Sequence, residues 1–456
     1  MERVLEDLRH IRRRFRLFGL PAQVIVLNTG ALVGPDGEAM LQALHSRSIG
    51  GFDHHFAEFL KRGAEKFIRS AYIGYGHQSI GDCGSVTVFI EGVSMLAAKA
   101  IQDSRLYSGQ EASTRYIDFS TQPFMVTNGD SSLVELLRET YLSVRSALPE
   151  HLIRQYAPAP DESDQKFAKN IEKRTFDIAR CLLPAGAVTN LAWHSSIRQA
   201  NDHLAYLRHH PLAEVRMIAR KIEDALADAW PSSFPAKRYP ETEAYNRRYM
   251  RTLYYYEQPD DYYPRAFRVT ADHVDRALLA TYRPAILKRP PHTELPRAIE
   301  ECGTLQCEFG LDFASFRDIQ RHRGVVQRMP LLTTRHGFEP WYLAQMPESM
   351  AHGVRCALET VTEAIRYGRL GELPPAEQQY HIPMGFVLPN RITGGLHALA
   401  YLAERRAQND VHPTLEFKAH DLANELRKRF GMPIYTSDEP GRFSRKRADQ
   451  DIRLAS

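Results

Sequence analysis

The chain is poor in cysteine, and the five it has stand far apart, at Cys83, Cys181, Cys302, Cys307 and Cys356. They form no Cys-x-x-Cys pair, and Cys302 and Cys307 lack neighbours at zinc-site spacing. Neither a disulfide framework nor a metal centre is expected, and reduced thiols suit a cytoplasmic protein. No apolar run is long enough to cross a bilayer. Charge of one sign is also lacking: the net charge is +4 over 456 residues, so electrostatics imply no nucleic-acid partner. What is present is ordinary globular composition, 43 % hydrophobic and 25 % charged, and length enough for at least two domains.

The first residues, MERVLEDLRHIRRRFRLF, set Arg12, Arg13, Arg14 and Arg16 beside Val4, Leu5, Leu8, Ile11 and Phe15. Glu2, Glu6 and Asp7 argue against a transit peptide, and the expectation is a surface helix with one packed face. Gln23 to Leu27 reads as a strand, Pro35-Asp36-Gly37-Glu38 as a helix start, Phe56 to Ile73 as a helix, Val86 to Ile90 as a strand and Val93 to Ile101 as a helix.

The chain also repeats itself at long range. His203-Leu204-Ala205-Tyr206-Leu207 echoes His397-Ala398-Leu399-Ala400-Tyr401-Leu402. Each is followed by a His-Pro pair, His210-Pro211 and His412-Pro413, and Leu182-Leu183-Pro184 has a counterpart in His381-Ile382-Pro383. So long a period implies duplication of a domain rather than a solenoid. The expected division is a first copy over 1–235, a connector rich in proline and tyrosine over 236–268, and a second copy over 269–456 with a basic tail.

The segment from Gly76 to Tyr116, GHQSIGDCGSVTVFIEGVSMLAAKAIQDSRLYSGQEASTRY, resembles the signature of the flavin-dependent thymidylate synthases (ThyX-like). Those proteins carry Gly-His-x-Ser/Thr, a phrase like Ile-Glu-Gly-Val-Ser, Arg-His-Arg, and a Ser-x-Arg-Tyr tail. The register matches without a gap, but Asp103-Ser104-Arg105 stands where the family has Arg-His-Arg. That triplet is found instead in the second copy, as Arg321-His322-Arg323. Downstream, Ala179-Arg180-x-x-Leu183-Pro184 matches the family's Ala-Arg-x-x-Leu-Pro.

The resemblance implies an α+β fold for each copy, a small and mostly antiparallel sheet packed with long helices. It implies FAD as cofactor, with methylene-tetrahydrofolate and NADPH as co-substrates, and the reductive methylation of dUMP to dTMP. It also implies a homodimer forming a pseudo-tetramer.

Residue by residue, it assigns His77, Ser79, Glu111, Ser196, Arg198 and Asp202 to the flavin, together with Arg321, His322 and Arg323. Gln110, Ser113, Arg115, Arg180 and Asp318 go to the nucleotide. The arginine that favours ionisation of the base falls at Arg208 in the first copy, if one residue is inserted after Leu207, and at Arg406 in the second. Arginines suit such a site because a guanidinium meets phosphate oxygens two at a time.

The copies keep complementary subsets. Placing Arg321-His322-Arg323 opposite Glu111 to Arg115, Arg180 and Arg208 supplies nearly every part of one composite site. The reverse pairing puts Asp103-Ser104 opposite Leu331, Thr333 and Gln379, which cannot cage a phosphate. Three departures bear on the substrate: Asp318 replaces a family glutamine, Met95 an arginine and Ser196 an asparagine. An ionised Asp318 cannot donate to a uracil carbonyl. Alternatives to dUMP methylation are therefore modification of another pyrimidine nucleotide or base, or a flavin- or nucleotide-binding pseudoenzyme.

Overall fold

The computed structural model describes residues 10–27, 34–45, 57, 61, 63, 65, 82–115, 118–127, 131–234, 238–256 and 266–444. Most of the helix expected over Phe56 to Ile73 lies outside the described residues, as do His77 and Ser79. Contacts divide the chain into two compact units: Met1–Ala112 with Val188–Tyr254, and Ser113–Ala187 with Tyr255–Ser456. Compact units and repeated copies are thus different divisions of this chain, because residues 113–187 pack with the second half.

The first unit is built on a five-stranded antiparallel sheet. Its strands are β1 (His10–Leu17), β2 (Leu20–Leu27), β3 (Ser85–Ser94), β4 (Ser108–Glu111) and β5 (Val188–Ser196), in the order β1-β2-β3-β5-β4. Residues 10–17 are a strand and not the expected surface helix. The reason is a period of two: Arg12, Arg14 and Arg16 are exposed while Leu17 is buried. Phe18 and Gly19, with φ of 48° and 83°, turn the chain tightly into β2, as a two-residue hairpin requires. Arginines along this outer strand also blunt a free sheet edge.

Strand β3 alternates half-buried and buried residues and pairs with β2 and β5. It bulges at Gly92, where φ is 74° and a Cβ would fall 2.3 Å from the Pro21 carbonyl, so no side chain fits. The strand runs directly into the helix Met95–Gln102. Ser94 caps that helix by accepting from the Ala97 N–H, and is itself held by Glu214, which takes the Ser94 N–H at 2.8 Å and its hydroxyl at 2.6 Å.

The second unit repeats this plan. Strands β6 (Arg268–Asp272), β7 (Thr304–Asp312), β8 (Val326–Arg328) and β9 (Val387–Gly395) form an antiparallel sheet in the order β6-β7-β9-β8. That order corresponds to β2-β3-β5-β4. Strand β7 runs into the helix Phe313–Ile319 with Asp312 as its cap, as β3 does with Ser94. The helices Ile197–Leu207 and Leu396–Arg406 follow β5 and β9 at matching positions. The fold is α+β.

Long helices complete the second unit. Ser131–Gln155 packs on Glu348–Tyr367 through Leu133, Leu137, Val361 and Leu370, which are buried together. The stretch expected as a connector contains a regular helix, Pro240–Leu253, started by a proline at its first turn.

Candidate nucleotide site

The second unit gathers four arginines around one carboxylate. The helix Asp164–Ala179 ends in a tight 3-10 turn, Arg180–Leu182, which places Arg180 at the junction. Arg180 is 1 % exposed. Its Nη2 donates to Ser315 Oγ at 2.9 Å and its Nη1 to Asp318 Oδ2 at 3.4 Å. Burial alone would strip its charge, but Tyr342, Asp318 and Asp312 outweigh that and raise its pKa.

Asp318 lies in the last turn of Phe313–Ile319, and its side chain is 18 % exposed. Burial would favour its neutral form. Arg180, Arg321, Arg115 and Arg406 together reverse this and hold it far below the usual carboxylate range.

Arg115 follows β4. It grips Asp177 through Nε at 2.7 Å and Nη2 at 3.3 Å, and Nη2 also donates to the Asp410 carbonyl at 3.2 Å. Asp177 stands on the helix that Arg180 terminates, so one helix end fixes both arginines.

Arg406 is the last residue of Leu396–Arg406. It donates from Nη2 to the Asp318 carbonyl oxygen and from Nε to His322 Nε2, both at 2.7 Å. His322 must therefore be neutral and protonated on Nδ1. Burial, followed by Arg406, Arg405 and Arg321, lowers its pKa to about 3. A neutral imidazole leaves the charge of Arg406 undiminished. Arg321 is exposed at the helix end, and no described residue accepts a hydrogen bond from its guanidinium.

Beneath the cluster lies a buried polar scaffold. Asp312 accepts from the Ser315 N–H and the Tyr342 hydroxyl, both at 2.9 Å, and from Thr414 Oγ1 at 2.6 Å. His412 meets the Asp177 carbonyl through Nε2 at 3.1 Å, so that nitrogen carries the proton. These residues hold Ser315, and Ser315 holds Arg180. The sequence reading missed Asp312, Ser315, Asp177, Tyr342 and Thr414. The one available signal was an aspartate immediately before a helix, the signature of an N-cap.

A cleft of about 1080 Å³ lies beside the cluster, walled by Tyr401, Arg405, Asp410, Tyr435, Arg442 and Phe443. Tyr401 packs edge-on against His322 with ring centroids 5.8 Å apart, and Asp410 is the residue whose carbonyl holds Arg115. The cleft thus meets neighbours of the cluster, His322 and Arg115, but not the four arginines themselves, and its walls also carry Glu294, Glu404, Asp438 and Glu439. Ser113 caps the loop locally by accepting from the Arg115 N–H at 3.3 Å. Arg323 is exposed.

The remaining expected residues belong to the first unit. Ser196 caps the helix Ile197–Leu207 and donates to Asp82 at 3.0 Å. Arg198 donates to the same carboxylate at 2.6 Å and 2.8 Å and reaches Asp202 at 3.5 Å. A hydroxyl and a guanidinium are donors that suit the diphosphate of FAD, and here both donate to Asp82. Glu111 accepts from Gln102 at 2.6 Å, and Gln110 is an exposed residue of β4.

Arg208 is committed to Glu223 at 2.7 Å and to Glu243, which also accepts from His209 at 2.8 Å. Its neighbour Leu207, which aligns with Arg406, is buried in the core. Where the second unit has its arginine-rich helix end, the first has Lys99 bound to Asp103 at 2.7 Å and to the Tyr254 hydroxyl at 2.9 Å. That charge is satisfied internally.

The chain is thus an α+β protein in which four arginines are gathered around the Asp318 carboxylate. Residues 38–232 match the model of the thymidylate synthase complementing protein family. A UPF0159 protein of Chlamydia pneumoniae is 26 % identical over 426 residues, covering 80 % of this chain and 78 % of its own.

Two solved structures share more distant similarity. One is thymidylate synthase X from Helicobacter pylori with FAD and dUMP: 18 % identity, 44 % of this chain, 93 % of that chain, TM-score 0.27. The other is a UMP/dUMP methylase from Streptomyces cacaoi bound with 5-Br dUMP: 15 % identity, 50 % of this chain, 93 % of that chain, TM-score 0.30.

Proposed function

We propose that this chain is a flavin-dependent enzyme of the thymidylate synthase type that modifies a pyrimidine nucleotide. In its simplest form it converts dUMP to dTMP, with FAD supplying hydride, methylene-tetrahydrofolate the carbon and NADPH the reducing power. The observation that carries this reading is the convergence of Arg115, Arg180, Arg321 and Arg406 on Asp318, from segments far apart in sequence.

In this reading Arg180 and Arg115 anchor the phosphate. Arg406, to which no carboxylate side chain among the described residues is bonded, faces the base and favours loss of its N3 proton. Ser196, Arg198 and Asp202 serve the flavin together with Arg321, His322 and Arg323. Binding and electrostatics are the protein's contribution, since the redox chemistry belongs to the cofactor. Two chains pairing into a pseudo-tetramer is part of the same proposal, with one working composite site per chain.

An absorbance spectrum of the purified protein, followed by anaerobic titration of bound flavin with dUMP, tests it. A flavin spectrum perturbed by dUMP is the expected result. Protein that stays colourless after addition of FAD would sink the enzyme reading. A second reading, in which the substrate is a different pyrimidine nucleotide, is favoured by Asp318. Its carboxylate stays ionised and can only accept hydrogen bonds, so a ligand group meeting it must be a donor. Flavin that ignores dUMP but responds to a cytidine nucleotide would select it.

A further inference from the structure

Four guanidiniums close to one another repel, and a cluster of them that includes a fully buried member, Arg180, needs an anion. The second unit supplies one from its own chain. Asp318 meets Arg180 through its side chain, and its main-chain oxygen meets Arg406. Its carboxylate feels Arg115 and Arg321 as well. The contact with Arg180 is long, 3.4 Å, and runs through a single guanidinium nitrogen, although guanidinium and carboxylate can form two short parallel bonds. Arg180 Nε, fully buried, has no hydrogen-bond partner. Asp318 thus compensates the charge of the cluster while leaving part of its bonding capacity unused.

A counter-ion of this kind is separable from the arginines it serves. In the first unit the corresponding helix carries Ala100 at this position, and its cation, Lys99, is satisfied by Asp103 and Tyr254 at normal bonding distances. Among the described residues, the second unit combines unused guanidinium donor capacity with a loosely bound carboxylate.

We infer that Asp318 is a resident anion that occupies the arginine cluster until the phosphoryl group of a ligand competes for the same guanidiniums. It therefore sets how tightly that group is held. The inference rests on reading the cluster as a phosphate site and not on flavin chemistry. A phosphoryl group can come from a nucleoside monophosphate or from the diphosphate of FAD, and the two sources are told apart by which ligand responds.

The test is calorimetric titration of the whole protein and of Asp318→Asn and Asp318→Glu, with inorganic phosphate, dUMP and FAD in turn. Asn removes the charge at nearly constant shape, and Glu keeps it. Asp318→Asn should bind inorganic phosphate about tenfold more tightly or better, since one like charge close to the ligand is gone, while Asp318→Glu stays near the parent. Nucleotide as the source predicts the same gain for dUMP and none for FAD; FAD as the source predicts the reverse.

Should Asp318→Asn fail to fold in low salt, phosphate should restore it where chloride of equal ionic strength does not. Phosphate affinity that is unchanged or weaker in a folded Asp318→Asn overturns the inference, and so does rescue by chloride as effective as rescue by phosphate. A gain for phosphate with none for dUMP leaves the resident anion standing and removes the nucleotide reading instead.

Discussion

Pro184 and Pro383 face each other in an antiparallel bridge, and the hydrogen bonds around them are related by a local two-fold. The Ala185 N–H donates to the Ile382 carbonyl at 2.9 Å and the Met384 N–H to the Leu183 carbonyl at 2.8 Å. One step further out, Gly186 donates to Tyr380 and Gly385 to Cys181, each at 2.9 Å. The same residue spacing relates β5 to β9 and the helices that follow them, so the bridge joins equivalent points of two repeats. It also fixes the turn carrying Arg180 against the half of the chain that carries Asp318.

Gly186 is where this clasp is easiest to break. A Cβ there would lie 2.6 Å from the Tyr380 carbonyl oxygen and 2.9 Å from that of Met125, both main-chain atoms that cannot swing aside. Gly186→Ala should lower unfolding stability by about 1–3 kcal/mol and weaken nucleotide binding as the Arg180 turn shifts. Urea denaturation together with dUMP titration checks both effects. Unaltered stability would show that the clasp yields without cost.

Arg180 and Arg321 should separate folding from binding. Arg180→Ala removes a buried cation and the guanidinium bonded to the Asp318 carboxylate, a change of about 3–5 kcal/mol in comparable buried pairs, and should abolish dUMP binding. Arg321 is exposed and assigned to the flavin, so Arg321→Ala should leave the melting temperature within a degree or two while weakening FAD about tenfold or more. Thermal melts with and without dUMP and FAD read both variants. Equal destabilisation by the two would contradict the placement of Arg321 at the surface of the site.

Arg208 provides a contrast. Its guanidinium is held between Glu223 and Glu243, and the Glu243 pKa is lowered to about 2, chiefly by the bond from Arg208. Arg208→Ala should cost roughly 2 kcal/mol of stability and leave dUMP affinity unchanged. Arg406→Ala should do the reverse, lowering kcat at least a hundredfold with a smaller effect on stability. If Arg208→Ala lowers kcat more than Arg406→Ala does, the assignment of the base-facing arginine reverses.

The acid limb of stability should carry the mark of His322. Its folded pKa is lowered to about 3, so below its ordinary value near 6.5 the unfolded chain takes up a proton that the folded chain refuses. Stability then falls as pH falls between those values, by about 1.4 kcal/mol per pH unit for this group. Asp318 is shifted in the same direction but in a lower pH range: its contribution is complete above an ordinary carboxylate value near 4 and is lost only in stronger acid. His322→Gln should flatten the pH 4–6 slope of stability measured by urea titration, and an unchanged slope would refute the neutral imidazole.

Much of this was legible in the sequence. The motif from Gly76 to Tyr116 located a family, and its missing triplet pointed to the second half of the chain. Arg115, Arg180, Arg321 and Arg406 were all named from motif register and are brought together in one unit. The N-terminal arginines misled, because a short run of alternating charge and apolar residues fits either period until a tight turn such as Phe18-Gly19 decides it. Arg208 was preferred over Leu207 on chemical grounds, yet the burial of Leu207 keeps the helix register uninterrupted and sends Arg208 to Glu223 and Glu243.

By itself the sequence determined elements such as β2, β3 and the helix Met95–Gln102, whose periodicity and caps are local properties, and the residue types a phosphate site needs. Tertiary structure alone decided that residues 113–187 pack with the second half, that Asp312 and Ser315 brace Arg180 from below, and that Asp318 is the carboxylate the arginines surround. Those facts depend on long-range pairing, such as the bridge from Pro184 to Pro383, and on charges made neighbours by folding. No local pattern records either.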